Sequence, residues 1–127
     1  MSEAQLFQYL KERYIPDLVE SRRQFSRWDC YSPQTRYRVE LKCRRKHYPD
    51  LVIEKSKYEA LINKCTPHND IPVYICSTPE GVWAFRLDNI PTPNWITKRM
   101  PETTDFKRRQ FIDKEVGMLP LNQGTKI

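Results

Sequence analysis

Tyr37-Arg38-Val39-Glu40-Leu41-Lys42-Cys43-Arg44, with Asp29 a short hairpin upstream, is the stretch from which the rest of the chain can be placed. Apolar Tyr37, Val39, Leu41 and Cys43 alternate with polar Arg38, Glu40, Lys42 and Arg44, the period-two pattern of a half-buried strand. Glu40 and Lys42 therefore leave the same face, about 7 Å apart along the strand. That spacing is wide for a direct ion pair and suits a shared ligand. Ser32-Pro33-Gln34-Thr35 has turn chemistry, so Asp29 and Glu40 lie on either side of a bend that brings them together.

Upstream, Leu6, Phe7, Leu10 and Tyr14 form a helical stripe, with Ser2 and Gln5 as a capping box and Pro16 as the stop. Leu18-Val19-Glu20 reads as a first strand, and Gln24 to Tyr31 as a second. Downstream, Leu51-Val52-Ile53 precedes a helix whose core face is Tyr58, Leu61, Ile62 and Cys65, capped by Ser56 with Glu59 three residues on. Ile71 to Cys76 and Val82 to Leu87 flank Ser77-Thr78-Pro79-Glu80-Gly81 and read as a hairpin. The order is helix, three strands, helix, two strands: an α/β fold with a mixed central β-sheet flanked by helices. The tail from Asp88 is rich in proline, with a helical patch expected over Phe106 to Val116 and with Phe106 and Phe111 packed on the domain.

The 127 residues fit one domain with a core that needs no disulfide. Cys30, Cys43, Cys65 and Cys76 form no CxxC pair and sit in or beside periodic segments, as reduced, packed thiols do. No apolar run approaches the roughly 20 residues of a membrane span, and no signal-peptide pattern opens the chain, so a reducing, cytoplasmic setting is expected.

The net charge is +6 with a pI near 9.2. Between Ser21 and His47 nine Lys/Arg face two acids, Asp29 and Glu40. A basic excess of this kind supplies affinity for a phosphate backbone through counterion release. Arg22, Arg23, Arg27, Arg44, Arg45, Lys46 and Lys57 are the expected nucleic-acid contacts.

Placing Asp29, Glu40 and Lys42 in one pocket gives a chemistry. Two carboxylates with room for water are what Mg²⁺ takes, and Mn²⁺ should substitute. Such an ion acidifies a bound water and polarises a phosphodiester, while Lys42 positions that water.

An acid, a turn, a strand bearing Glu-x-Lys and then a helix resemble the PD-(D/E)XK nuclease superfamily, and within it the archaeal Holliday junction resolvases. The likeness runs from Glu3 to about Asn89 and includes Ile71-Pro72-Val73 and the hairpin at Gly81-Val82-Trp83. Trp28 stands where the family has a proline. The resemblance implies a restriction-endonuclease-like α-β-β-β-α-β core over residues 1–90, with residues 91–127 an extension packed on the same domain. It implies a metal-dependent endonuclease acting on duplex or branched DNA, Asp29, Glu40 and Lys42 being catalytic. Glu3, near the start of the first helix, takes the place of the family's third metal ligand, with Glu12 the second choice. Two symmetric cuts at a junction would call for a homodimer. Two rivals stand beside this reading: a nuclease-fold DNA-binding protein without catalysis, and a small zinc-stabilised module built on Cys43, His47, Cys65 and His68.

Overall fold

The first helix, α1 (Glu3–Arg13), begins where the sequence signals it. The Ser2 hydroxyl accepts from the Gln5 amide at 3.1 Å, and the Gln5 side chain accepts from the Ser2 amide at 2.8 Å. Leu6, Phe7 and Leu10 are buried, each apolar side chain worth about 1.5–3 kcal/mol. Tyr14, the fourth member of the stripe, lies beyond the last helical residue and is exposed. The computed structural model describes residues 1–20, 29–102 and 110–127.

Among the described residues the strands are β1 (Val19–Glu20), β2 (Asp29–Tyr31), β3 (Tyr37–Cys43), β4 (Asp50–Glu54), β5 (Ile71–Thr78), β6 (Gly81–Arg86), β7 (Ile96–Pro101), β8 (Phe111–Pro120) and β9 (Thr125–Lys126). A second helix, α2 (Lys55–Cys65), follows β4 without a break. Six strands form one mixed sheet in the order β1-β2-β3-β5-β6-β9, and β4-β8-β7 form a second. β3 pairs antiparallel with β2 and parallel with β5, so it is central. No described helix is long and apolar enough to cross a membrane.

The six-stranded sheet is covered on both faces. Val39 and Leu41 of β3, Val73 and Ile75 of β5 and Val82 of β6 pack with Leu6, Phe7 and Leu10 of α1. Tyr74 and Cys76 of β5 and Trp83 and Phe85 of β6 point the other way, to Leu61 and Cys65 of α2, Leu51 and Ile53 of β4 and Leu119 of β8. The strand expected to be half-buried is therefore buried at its centre on both faces: Glu40 is 6 % exposed, between Val39 at 1 % and Leu41 at 2 %.

Four local readings change. Leu51 to Ile53 belongs to a true strand, because β8 supplies its ladder from some sixty residues on, Leu51 opposite Leu119 and Ile53 opposite Gly117. The helix expected over Phe106 to Val116 is strand β8 from Phe111 onward, held between β4 and β7; Phe106 lies outside the described residues. Phe111 is 48 % exposed rather than packed on the domain. Ser56 does not cap α2: Glu54 is the N-cap and makes no side-chain cap bond, so Ser56 is inside the first turn. The tail is integrated into the fold, with β9 on the edge of the large sheet and Trp95 edge-on to Tyr58 of α2 at 5.2 Å between ring centres.

Candidate active site

The turn between β2 and β3 is fixed from outside. Asp17 accepts from the Ser32 hydroxyl at 2.7 Å and from the Gln34 amide at 2.8 Å, and these bonds hold its carboxyl below the usual carboxylate range. Arg36 takes up the left-handed turn conformation, φ 64°. The result is a register in which Asp29 lies directly opposite Glu40, with Cys30 opposite Val39. Facing residues of an antiparallel pair have Cβ atoms about 5 Å apart, on one side of the sheet. The sequence-derived juxtaposition of the two acids is thus present.

That side of the sheet is the α2 side, and α2 answers both acids. Lys64 donates to Asp29 at 2.7 Å. Lys57 stands 4.0 Å from Glu40 and 4.0 Å from Glu54. Lys57 and Lys64 are seven residues apart, two helical turns, on the stripe that also holds buried Leu61. Glu54 in turn accepts from Lys114 of β8 at 2.7 Å, both side chains about four-fifths buried. Burial would raise the Glu54 carboxyl, but Lys114, Lys57 and Lys42 outweigh it and hold it below the ordinary glutamate range. Lys42 lies in the same field. Burial, then Lys57 and Arg44, push its ammonium below the usual lysine range, against the opposing pull of Glu3 and Glu54.

Lys57, expected as a DNA contact, is thus engaged inside the site. Arg44 is likewise occupied, donating to the Val52 carbonyl at 2.8 Å. Arg45 and Lys46 are exposed; Arg22, Arg23 and Arg27 lie outside the described residues. Glu12 is exposed on the last turns of α1, and Glu3, on the same helix, is not brought into a three-acid group with Asp29 and Glu40, because α1 covers the other face of the sheet; only its charge reaches Lys42 and Cys43. Lys64, Glu54 and Lys114 were not singled out in the sequence. For Lys64 a weak signal exists, since it shares a helix stripe with Lys57 and buried Leu61. Glu54 and Lys114 meet across 60 residues and leave no local trace.

Among the described residues, no three His, Cys, Asp or Glu side chains gather as a ready cage for a metal. The zinc module fails on placement: Cys43 packs against the cluster under α1 and Cys65 belongs to the cluster under α2, with the sheet between them. Nor are the thiols poised as nucleophiles, since burial above all pushes Cys30 up to about 12 and Cys65 and Cys76 up to about 11. Asp29 and Glu40 are oxygen donors of the kind a hard divalent cation takes, although each has a lysine of α2 near it. Two hard carboxylates on one side of the sheet meet the protein's share of a shell completed by water and phosphate.

No family model matches the chain, and no curated protein matches its sequence. Among solved structures, the chain is similar to Hjc of Archaeoglobus fulgidus, a Holliday junction resolvase from an archaeal hyperthermophile, with a TM-score of 0.56 and 12% identity over 99% of this chain and 93% of that one. At that identity the likeness is one of fold, and the fold is the one that the sequence resemblance implies: the chain has the α/β architecture of an archaeal Holliday junction resolvase.

Proposed function

We propose that this protein is a divalent-metal-dependent endonuclease that hydrolyses phosphodiester bonds in DNA, with branched DNA as its preferred substrate. The observation that supports this most strongly is the Asp29 and Glu40 register pair, with Lys42 two residues along on the same face, in a fold shared with a junction resolvase. Asp29 and Glu40 would hold Mg²⁺ or Mn²⁺, which when bound supplies Lewis acidity and an acidified water. Lys42 orients the water and offsets charge that develops on the phosphate. Lys42 is partly buried, so its charge is less screened than that of a surface lysine. Glu3 supports the site by favouring the ammonium form of Lys42. Arg45 and Lys46, at the exit of β3, steer the backbone without reading sequence.

The test is a nicking assay on single-stranded, duplex, flap and four-way substrates with Mg²⁺, Mn²⁺ or EDTA, on wild type, Glu40→Gln and Lys42→Met. Metal-dependent cleavage of branched DNA, lost in both variants while DNA binding persists, is the expected result. A wild type that leaves every substrate whole would overturn it.

One observation favours a second reading. Both acids already have a lysine of α2 near them, at 2.7 Å and 4.0 Å, and a protein that binds DNA without cutting it would keep those ion pairs in place of a metal. Under that reading wild type takes up no metal.

A further inference from the structure

The two lysines of α2 do not hold their acids in the same way. Lys57 is shared between Glu40 and Glu54, 4.0 Å from each, and its side chain is 22 % exposed against 7 % for Glu40. Lys64 makes one short contact, 2.7 Å to Asp29, at a more open position: its side chain is 36 % exposed and that of Asp29 is 23 % exposed. Beside this pair lies a cavity of about 270 Å³ lined by Asp29, Lys64, Tyr31, Arg38, Asn63 and His68. An ammonium leaving Asp29 has space to turn there without disturbing the core.

We propose that Lys64 is an exchangeable counterion: it occupies Asp29 in the metal-free protein, yields that carboxylate to a divalent cation, and so sets the protein's affinity for metal. Lys57, with two acids to serve and deeper burial, stays in place. The reasoning is electrostatic. A lysine and a divalent ion compete for the same lone pairs, and a flexible, partly solvated ammonium is the weaker holder because it brings a single charge and gives up side-chain freedom to stay. The contact holds the Asp29 carboxylate toward α2 before metal arrives. Lys64 is in this sense a positioning residue. The inference rests on the metal site proposed above and adds the residue that controls its loading.

The experiment is titration of the whole protein with Mn²⁺ alone, no DNA present, read by the loss of the free-ion electron paramagnetic signal. Wild type, Lys64→Met, Lys64→Arg and Asp29→Asn are compared, with thermal unfolding of each as the check on folding. Lys64→Met is expected to bind Mn²⁺ roughly fivefold tighter than wild type, the scale of one partly exposed ion pair. Lys64→Arg stays close to wild type, and Asp29→Asn loses the site. In the metal-free protein Asp29→Asn and Lys64→Met have non-additive effects on unfolding, since each removes the same contact. Equal or weaker Mn²⁺ binding by folded Lys64→Met, or additive effects on unfolding, overturns the inference and leaves the nuclease reading standing. Absence of Mn²⁺ binding in every protein, Lys64→Met included, overturns both.

Discussion

The two faces of the large sheet are built from the same strands and do opposite work. Under α1 the packing is largely apolar, Leu6, Phe7 and Leu10 against Val39, Leu41, Val73 and Ile75, with the buried Ser77 at the end of β5. Under α2 an apolar cluster of comparable size surrounds a set of charges, Asp29, Glu40, Lys42, Glu54, Lys57, Lys64 and Lys114, most of them joined by ion pairs. Burying charge costs free energy unless it is paired, so the first face is where stability is made and the second depends on its ion pairs to keep buried charge tolerable. β3 shows the contrast within one strand, its odd residues on the dry face and Glu40 and Lys42 on the charged one.

The largest effect separates the faces by activity. Glu40→Gln is expected to lower cleavage by about a thousandfold, on the scale of losing one preorganised catalytic group, with little loss in unfolding free energy. A variant that unfolds instead would make Glu40 structural and erase the distinction. On the other face the outcome reverses. Leu10→Ala should cost about 2–5 kcal/mol in urea unfolding, while Mn²⁺ affinity measured on the folded fraction stays unchanged.

A third test uses pH. The Glu54 carboxyl is held low in the folded state by Lys114, Lys57 and Lys42 against the opposing effect of burial. Its contribution is therefore present above the ordinary glutamate range and is lost as pH falls through the folded value. Wild type should lose stability on acidification more steeply than Glu54→Gln, which gives up about 1 kcal/mol at neutral pH. Parallel pH profiles would remove Glu54 from the network. The smallest effect lies outside both faces: Arg45→Ala with Lys46→Ala should weaken binding to all DNA sequences alike and reduce the salt slope by about 2. An unchanged slope would move the backbone contact elsewhere.

Much of the face under α1 was legible in the sequence because it is local, although β5 joins it through a non-local parallel pairing with β3. The capping box at Ser2 and Gln5, the stripe of Leu6, Phe7 and Leu10, and the alternation through β3 are short-range patterns that the structure keeps. The pairing of Asp29 with Glu40 was legible for the same reason, since a turn at residues 32–35 brings facing residues together. What escaped is non-local. Asp113, Lys114 and Glu115 read as helical until β7 pairs with them, and Leu51 to Ile53 has no ladder until β8 arrives. Lys64 meets Asp29 across 35 residues, and a helix pattern alone does not say which acid its lysines will find.

Occupation of the space between the two facing acids by a divalent ion separates the metal-dependent reading from its rival. A crystal of the wild-type protein soaked in Mn²⁺ and measured at the manganese absorption edge answers this directly. The expected map has an anomalous peak between the carboxylates of Asp29 and Glu40, with the Lys64 ammonium displaced from Asp29. A map with no peak there and Lys64 still 2.7 Å from Asp29 would contradict the metal-dependent reading.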